Sequence, residues 1–210
     1  MLIIPHRRIL IITPPKCGSR SINAALCQRW GAQVWCGPSM GGRGEDHHNA
    51  RIPFGKEPYE KYVVVRHPLD RLASLWRHLV DAAKVAPLNP SDPSSPVGCG
   101  SMAFYDFAAK VGRRDAGTIA ADPFYGWALC DHLKECQADV EPLRLESLKE
   151  DLAEIGLPVL ELPHLGKSNG GESDWRRYYD SPLLAAIAAW AKPDCERFSY
   201  EWPGDAPRDY

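Results

Sequence analysis

The chain has 210 residues, a formal net charge of −2, 44% hydrophobic and 25% charged residues. That length suits one α/β domain with a sizeable buried core, and the composition excludes disorder over most of it. A nearly neutral chain has no global basic field, which weighs against a nucleic acid held through many phosphates, so any anion must be bound locally.

Seven cysteines make an odd number without a CxxC pair, and the opening MLIIPHRRIL holds too short an apolar stretch for a signal peptide or membrane anchor. The expectation is a reduced, cytoplasmic protein without a membrane partner. Cys130, His132 and Cys136 in CDHLKEC come nearest to metal spacing but lack a fourth ligand, so half-buried helix cysteines are the better reading and no metal is expected.

In chain order, Ile9 to Thr13 reads as a buried strand, a short apolar run with basic residues before it and prolines after. Ile22, Leu26 and Trp30 recur near helical spacing and predict a helix over 19–30. The segment GPSMGGRGEDHHNARIPFG has neither helical nor strand periodicity and is expected to be a loop with at most a short strand. Tyr62 to Val65 makes a second buried strand, and Pro68 opens a helix with Leu69, Leu72, Leu75 or Trp76, and Leu79 as its apolar stripe.

VAPLNPSDPSSPVGCG, with four prolines, is a long loop and a candidate lid. Helices are predicted over 102–111, around Phe104, Phe107 and Val111, and over 125–135. A third strand follows over 140–145, then a helix over 148–155 closed by Gly156. The last helix has Ser181 as N-cap, Pro182 as first residue and Pro193 as its stop. Strands alternating with helices predict one α/β domain over 1–210, phosphate-loop-like, with a central, mainly parallel sheet flanked by helices and ligands beyond the carboxyl ends of the strands. Loop or lid candidates are 37–58, 85–100 and 164–175.

Both basic turns, at Lys16 and Arg66, fall at such strand ends. In TPPKCGSRS a tight turn enters a helix, pointing backbone N–H groups and the positive dipole end outward, while Gly18 permits close approach and Ser19, Arg20 and Ser21 add donors. A nucleotide-triphosphate loop places its Lys after the second Gly, whereas Lys16 precedes the only one, so magnesium–ATP fits poorly. Alone, the loop is equally a plain strand-to-helix turn with a surface lysine. Arg66 and, eight residues on, Ser74 supply a second set of groups able to converge on a phosphate, the plain alternatives being an Arg66–Asp70 ion pair and a helix-surface hydroxyl.

PPKCGSRS and VVVRHPLDRLASLW together resemble the 5′-phosphosulfate loop and the 3′-phosphate segment of sulfotransferases that use 3′-phosphoadenosine-5′-phosphosulfate (PAPS). The similarity is closest to the branch acting on carbohydrates, which also has counterparts of FYDFAAKV, LRLESLKEDL, the His164 to Ser168 stretch and YYDSPLLAAI…DCERFSYEW. It runs from about residue 9 to residue 202. The resemblance implies sulfuryl transfer from PAPS to a hydroxyl of a carbohydrate or similar acceptor, with release of PAP and without a metal. It assigns Lys16 to the bridging oxygen, Cys17, Gly18, Ser19, Arg20 and Ser21 to the 5′ end, and Arg66 and Ser74 to the 3′-phosphate. Arg20 stands where a small hydroxyl residue is usual.

A base must take the acceptor proton, and relatives use His or Glu; His48, then His47, with Glu45 in reserve, lie in the matching interval, although loop histidines often titrate near neutrality without catalytic duty. Lys167 and Ser168 are candidates to close over the nucleotide, equally readable as part of a Gly-rich surface loop. Trp175, Arg176 and Arg177 could reach an anionic or sugar acceptor, a solvated face being the default. The competing readings are a nucleotide kinase on a related scaffold and a non-catalytic nucleotide-binding module.

Overall fold

The computed structural model describes residues 1–34, 37–38, 45–46, 58–85, 102–114, 128–136, 139–163 and 174–203. In chain order the strands are β1 (Leu2–Ile4), β2 (Ile9–Ile12), β3 (Gln33–Val34), β4 (Gly37–Pro38), β5 (Glu45–Asp46), β6 (Glu60–Val65) and β7 (Glu141–Arg144). The α-helices are α1 (Ser19–Trp30), α2 (Pro68–Val85), α3 (Phe104–Arg113), α4 (Leu129–Cys136), α5 (Leu148–Glu154) and α6 (Ser181–Phe198). Contacts cluster into two compact units, Met1–Arg66 with Asp131–Lys167, and His67–Cys130 with Ser168–Tyr210.

The first unit carries a five-stranded sheet in the order β3-β1-β2-β6-β7. The sheet is mixed. β2, β6 and β7 run parallel, in register Ile12↔Val63 and Val65↔Arg144, whereas β1 lies antiparallel to β2, Leu2↔Ile11, and to β3, Leu2↔Val34. All four residues of β2 and the last three of β6 are buried, as apolar runs inside a sheet require. β1 was not expected: LII is too short to carry a periodicity, and it becomes a strand because the turn at Pro5–Arg7, closed by Arg8 in the left-handed region at φ 56°, folds it back onto β2.

β7 forms one edge of the sheet. Pro142 has no amide proton to offer there, and Arg144 N donates to Asp151 Oδ2 at 2.6 Å. Proline and a side-chain-capped amide are standard means of blunting an exposed edge.

The second unit is helical in its described residues. Its core joins Leu69, Leu72, Leu75 and Leu79 of α2 to Phe107 and Val111 of α3 and to Ile187 and Trp190 of α6. Each such fully buried large side chain contributes about 1.5–3 kcal/mol. α3 and α6 approach closely at Gly112, where an added Cβ would lie 2.6 Å from Ala186 O.

Two expectations about α6 need correction. Its N-cap is Asp180, whose side chain accepts from Leu183 N at 2.9 Å, one residue before the Ser181 expected, so Pro182 stands second in the helix. Nor does Pro193 end it. The helix runs on to Phe198 because the turn after the proline is anchored by burial: Asp194, Cys195 and Phe198 are each at most 2% exposed. Asp194 also accepts from Leu129 N at 2.7 Å and Cys130 N at 2.8 Å, capping α4. One lost helical hydrogen bond is cheaper than undoing those contacts.

α1 occupies the expected 19–30, while α3, α4 and β7 are each displaced by a residue or more from the predicted bounds. Of the candidate loops, 37–58 contributes the short antiparallel pair β4–β5, 85–100 its first residue to α2, and 164–175 the start of a 3-10 turn, Trp175–Tyr178; their remaining residues lie outside the described ones apart from Pro58 and Asp174.

Candidate active site

β2 and β6 are parallel neighbours, so the turns leaving them emerge side by side at the carboxyl edge of the sheet. After β2, Thr13, Pro14 and Pro15 are buried and Cys17 N donates to Pro14 O at 3.2 Å, closing a tight turn with Pro15 and Lys16 in the middle. Its third residue, Lys16, is left-handed at φ 67°, as in a type II turn. For a residue with a side chain this costs about 1–2 kcal/mol, a strain that persists only where surrounding structure enforces it.

Cys17 is fully buried, and Gly18 follows at φ 75°. An added Cβ at Gly18 would meet Leu145 Cδ1 at 2.8 Å, so the backbone angle favours glycine and a side chain there would push the Leu145 methyl aside. α1 then begins with Ile22 N donating to Gly18 O at 3.1 Å, and no side chain caps its N-terminus. The first-turn amides of a helix have no intrahelical acceptor, and the positive end of the dipole there favours an anion. Ser19 and Ser21 are half-buried on this turn, and the Arg20 side chain is exposed.

Arg66, one residue beyond β6, is half-buried, and its Nη1 donates to Lys16 O at 3.2 Å. The structure thus joins the two strand-end cations expected from sequence. Ser74 is half-buried on α2, in the second unit. Asp70 Oδ1, also considered for Arg66, lies 3.8 Å from Arg77 Nη2. His47, His48, Lys167 and Ser168 lie outside the described residues, and of Glu45 only its backbone place in β5 is defined.

His67 was missed by sequence reasoning. Its Nδ1 accepts from Leu69 N at 3.3 Å, holding the start of α2, and its Nε2 stands 3.2 Å from Glu201 O. Acceptance at Nδ1 places the proton on Nε2, which donates to that carbonyl. The ring stacks on Trp175 at 4.3 Å and meets Tyr200 edge-on at 5.2 Å. A His-Pro pair opening a helix was the available signal. Trp175 is therefore half-buried against His67, while Arg176 is exposed, with its guanidinium 4.7 Å from the Trp175 ring.

A separate recess of about 410 Å³ is lined by Tyr62, Arg144, Glu141, Asp151 and Glu154. Burial, then the Glu60 and Glu141 carboxylates, raise the Tyr62 hydroxyl above its usual range, so an anion is disfavoured there. Among the described residues no group of three or more His, Cys, Asp or Glu could hold a metal; Cys130 Sγ stands 3.7 Å from Pro193 O and His132 is fully buried.

A buried strand, a strained lysine turn and the start of α1 stand beside an arginine that follows the adjacent parallel strand, an arrangement of an α/β protein that could receive an anion. The family to which it belongs follows from comparison: a model of the sulfotransferase family matches residues 1–165, most of the chain, and the protein is a member of that family, an enzyme of sulfuryl transfer. Membership decides against the nucleotide-kinase reading. No curated protein and no solved structure gave a match. Among the described residues no helix is long and apolar enough to cross a membrane.

Proposed function

We propose that the enzyme transfers the sulfuryl group of PAPS to a hydroxyl of a carbohydrate or similar acceptor, releasing PAP, within one catalytic domain in the cytoplasm. The observation that supports this most is the Arg66–Lys16 contact, which brings the two basic strand ends next to each other. In this reading the first-turn amides and hydroxyls of Ser19 and Ser21 hold the 5′-phosphosulfate, Cys17 and Gly18 shape the loop, and Arg66 and Ser74 take the 3′-phosphate. Lys167 and Ser168 close over the nucleotide. Exposed Arg20 faces the acceptor side.

His48, with His47 next and Glu45 in reserve, removes the acceptor proton as the acceptor oxygen bonds to sulfur and the bond from sulfur to the bridging oxygen breaks. Lys16 neutralises the charge left on that oxygen. Fixed donors aimed at developing charge carry most of the rate enhancement in such transfers, and a positioned base adds roughly 10²–10⁴-fold.

The test is turnover of radiolabelled PAPS against a panel of sugars and glycans, beside thermal shift with PAP and with magnesium–ADP. PAP raises the melting temperature, by about 2.7 kcal/mol of added stability at a hundred times its Kd. Stabilisation by magnesium–ADP and not by PAP refutes the donor assignment. A loss of less than about tenfold in both His48→Ala and His47→Ala removes the histidines as the base.

A further inference from the structure

We propose that Arg66 is a positioning residue for Lys16 in addition to an anion ligand, so that one guanidinium ties the 3′ end of the donor to the group that neutralises the leaving oxygen. The inference rests on the PAPS reading for its catalytic part; its structural part stands alone.

Lys16 occupies the left-handed region, a conformation its turn must enforce from outside. Its carbonyl accepts from Arg66 Nη1 at 3.2 Å, across 50 residues of chain. The turn's own closing bonds, Cys17 N to Pro14 O and Ile22 N to Gly18 O, are local, whereas this one spans the fold. The register of β2 against β6 makes the long-range contact possible: both strands end at one edge, and Arg66 follows directly on β6.

Guanidinium has five N–H donors in a rigid planar fork. A guanidinium can therefore direct one donor at Lys16 O and another at a phosphate without releasing the carbonyl. A lysine in its place would carry the charge without the fork, and could serve the phosphate or the carbonyl but not both in fixed geometry. A displacement of the Lys16 peptide moves its ammonium away from the bridging oxygen, and errors of about 1 Å in such groups cost about 10² in rate.

The experiment uses the full chain with Arg66→Ala and Arg66→Lys. Hydrogen exchange in the absence of nucleotide follows the amides of residues 17–21 against those of β1 and β2, which report whether the variants remain folded. Steady-state transfer with saturating PAPS then separates kcat from KM.

The expected result is exchange at least tenfold faster in the loop, with sheet amides unchanged, in both variants. It is accompanied by a kcat at least tenfold lower in both, and a KM raised more in Arg66→Ala than in Arg66→Lys. Loop exchange within twofold of wild type in both variants overturns the positioning role. So does a KM rise with kcat unchanged, which leaves Arg66 as a phosphate ligand only. If wild type neither binds PAP nor turns over PAPS, the donor reading fails while loop exchange still decides the positioning. Should Arg66→Ala lose its sheet protection, Arg66→Lys carries the comparison.

Discussion

Replacing Gly18 by alanine tests whether the loop is held by backbone angle as well as by packing. At φ 75° an alanine pays about 1–2 kcal/mol for the left-handed conformation. Its Cβ would stand 2.8 Å from Leu145 Cδ1, and turning that side chain off its rotamer adds about 0.5–1.5 kcal/mol. The unfolded chain loses freedom with alanine, which returns about 0.4–1 kcal/mol, so the net loss is about 2 kcal/mol. Urea denaturation of Gly18→Ala, Leu145→Ala and the double variant measures it, the double-mutant cycle isolating a coupling of about 1 kcal/mol from the clash. Leu145→Ala removes the clash and leaves the backbone strain, so the double variant loses less stability than the sum of the two single variants and regains none of the transfer rate. A Gly18→Ala protein within about 0.5 kcal/mol of wild type, with unchanged transfer, refutes the account.

Lys16→Ala and Lys16→Gly both lose transfer by about 10² or more, yet the glycine variant is the more stable by roughly 0.5–1 kcal/mol in urea, since glycine takes φ 67° without strain. Asp194→Ala destabilises by about 3–5 kcal/mol in the same assay, because it uncaps two α4 amides and leaves Arg71, 1% exposed, without the carboxylate whose field it feels. Burial raises the Asp194 carboxyl above its usual range despite those bonds, so the charge is retained at a cost and its share of stability falls as pH climbs through the raised pKa. Tyr179 donates to Leu69 O at 2.7 Å, and burial, then Asp70, hold its hydroxyl well above 10.0. The unfolded chain ionises first, so stability is full below pH 10 and falls above it. Tyr179→Phe costs about 1 kcal/mol at neutral pH and flattens that alkaline fall, measured by melting temperature against pH.

The strand–turn–helix units were legible because each carried its own local signal: the ILII and VVV runs, the helical spacing of Ile22 and Leu26, and prolines at element boundaries. Lys16 and Arg66 were found at strand ends for the same reason. What stayed hidden depends on residues far apart. Leu2–Ile4 is a strand through its pairing with β2 and β3, Pro193 sits inside a helix because the turn after it is buried and bound to α4, and the left-handed Lys16 is contacted by Arg66 from across the fold. His67 was overlooked because a helix-opening histidine reads as a cap until the aromatic rings around it are placed. Local rules named the elements and the charged groups, and long-range bonds decided how those groups are aimed.

The span between Lys16 and Arg66 also has a kinetic meaning. β1 and β2 can pair across a four-residue turn, so that hairpin forms with little loop entropy to overcome, whereas β6 joins β2 only after the chain closes a loop of about 50 residues, and β7 joins later in sequence still. The turn holding Lys16 is thus made before anything fixes its angle. If the loop and Arg66 hold the nucleotide as proposed, competence is expected only once β6 has docked, and a nascent chain that ends before Arg66 is expected to carry the IITPPKCGSRS motif without binding.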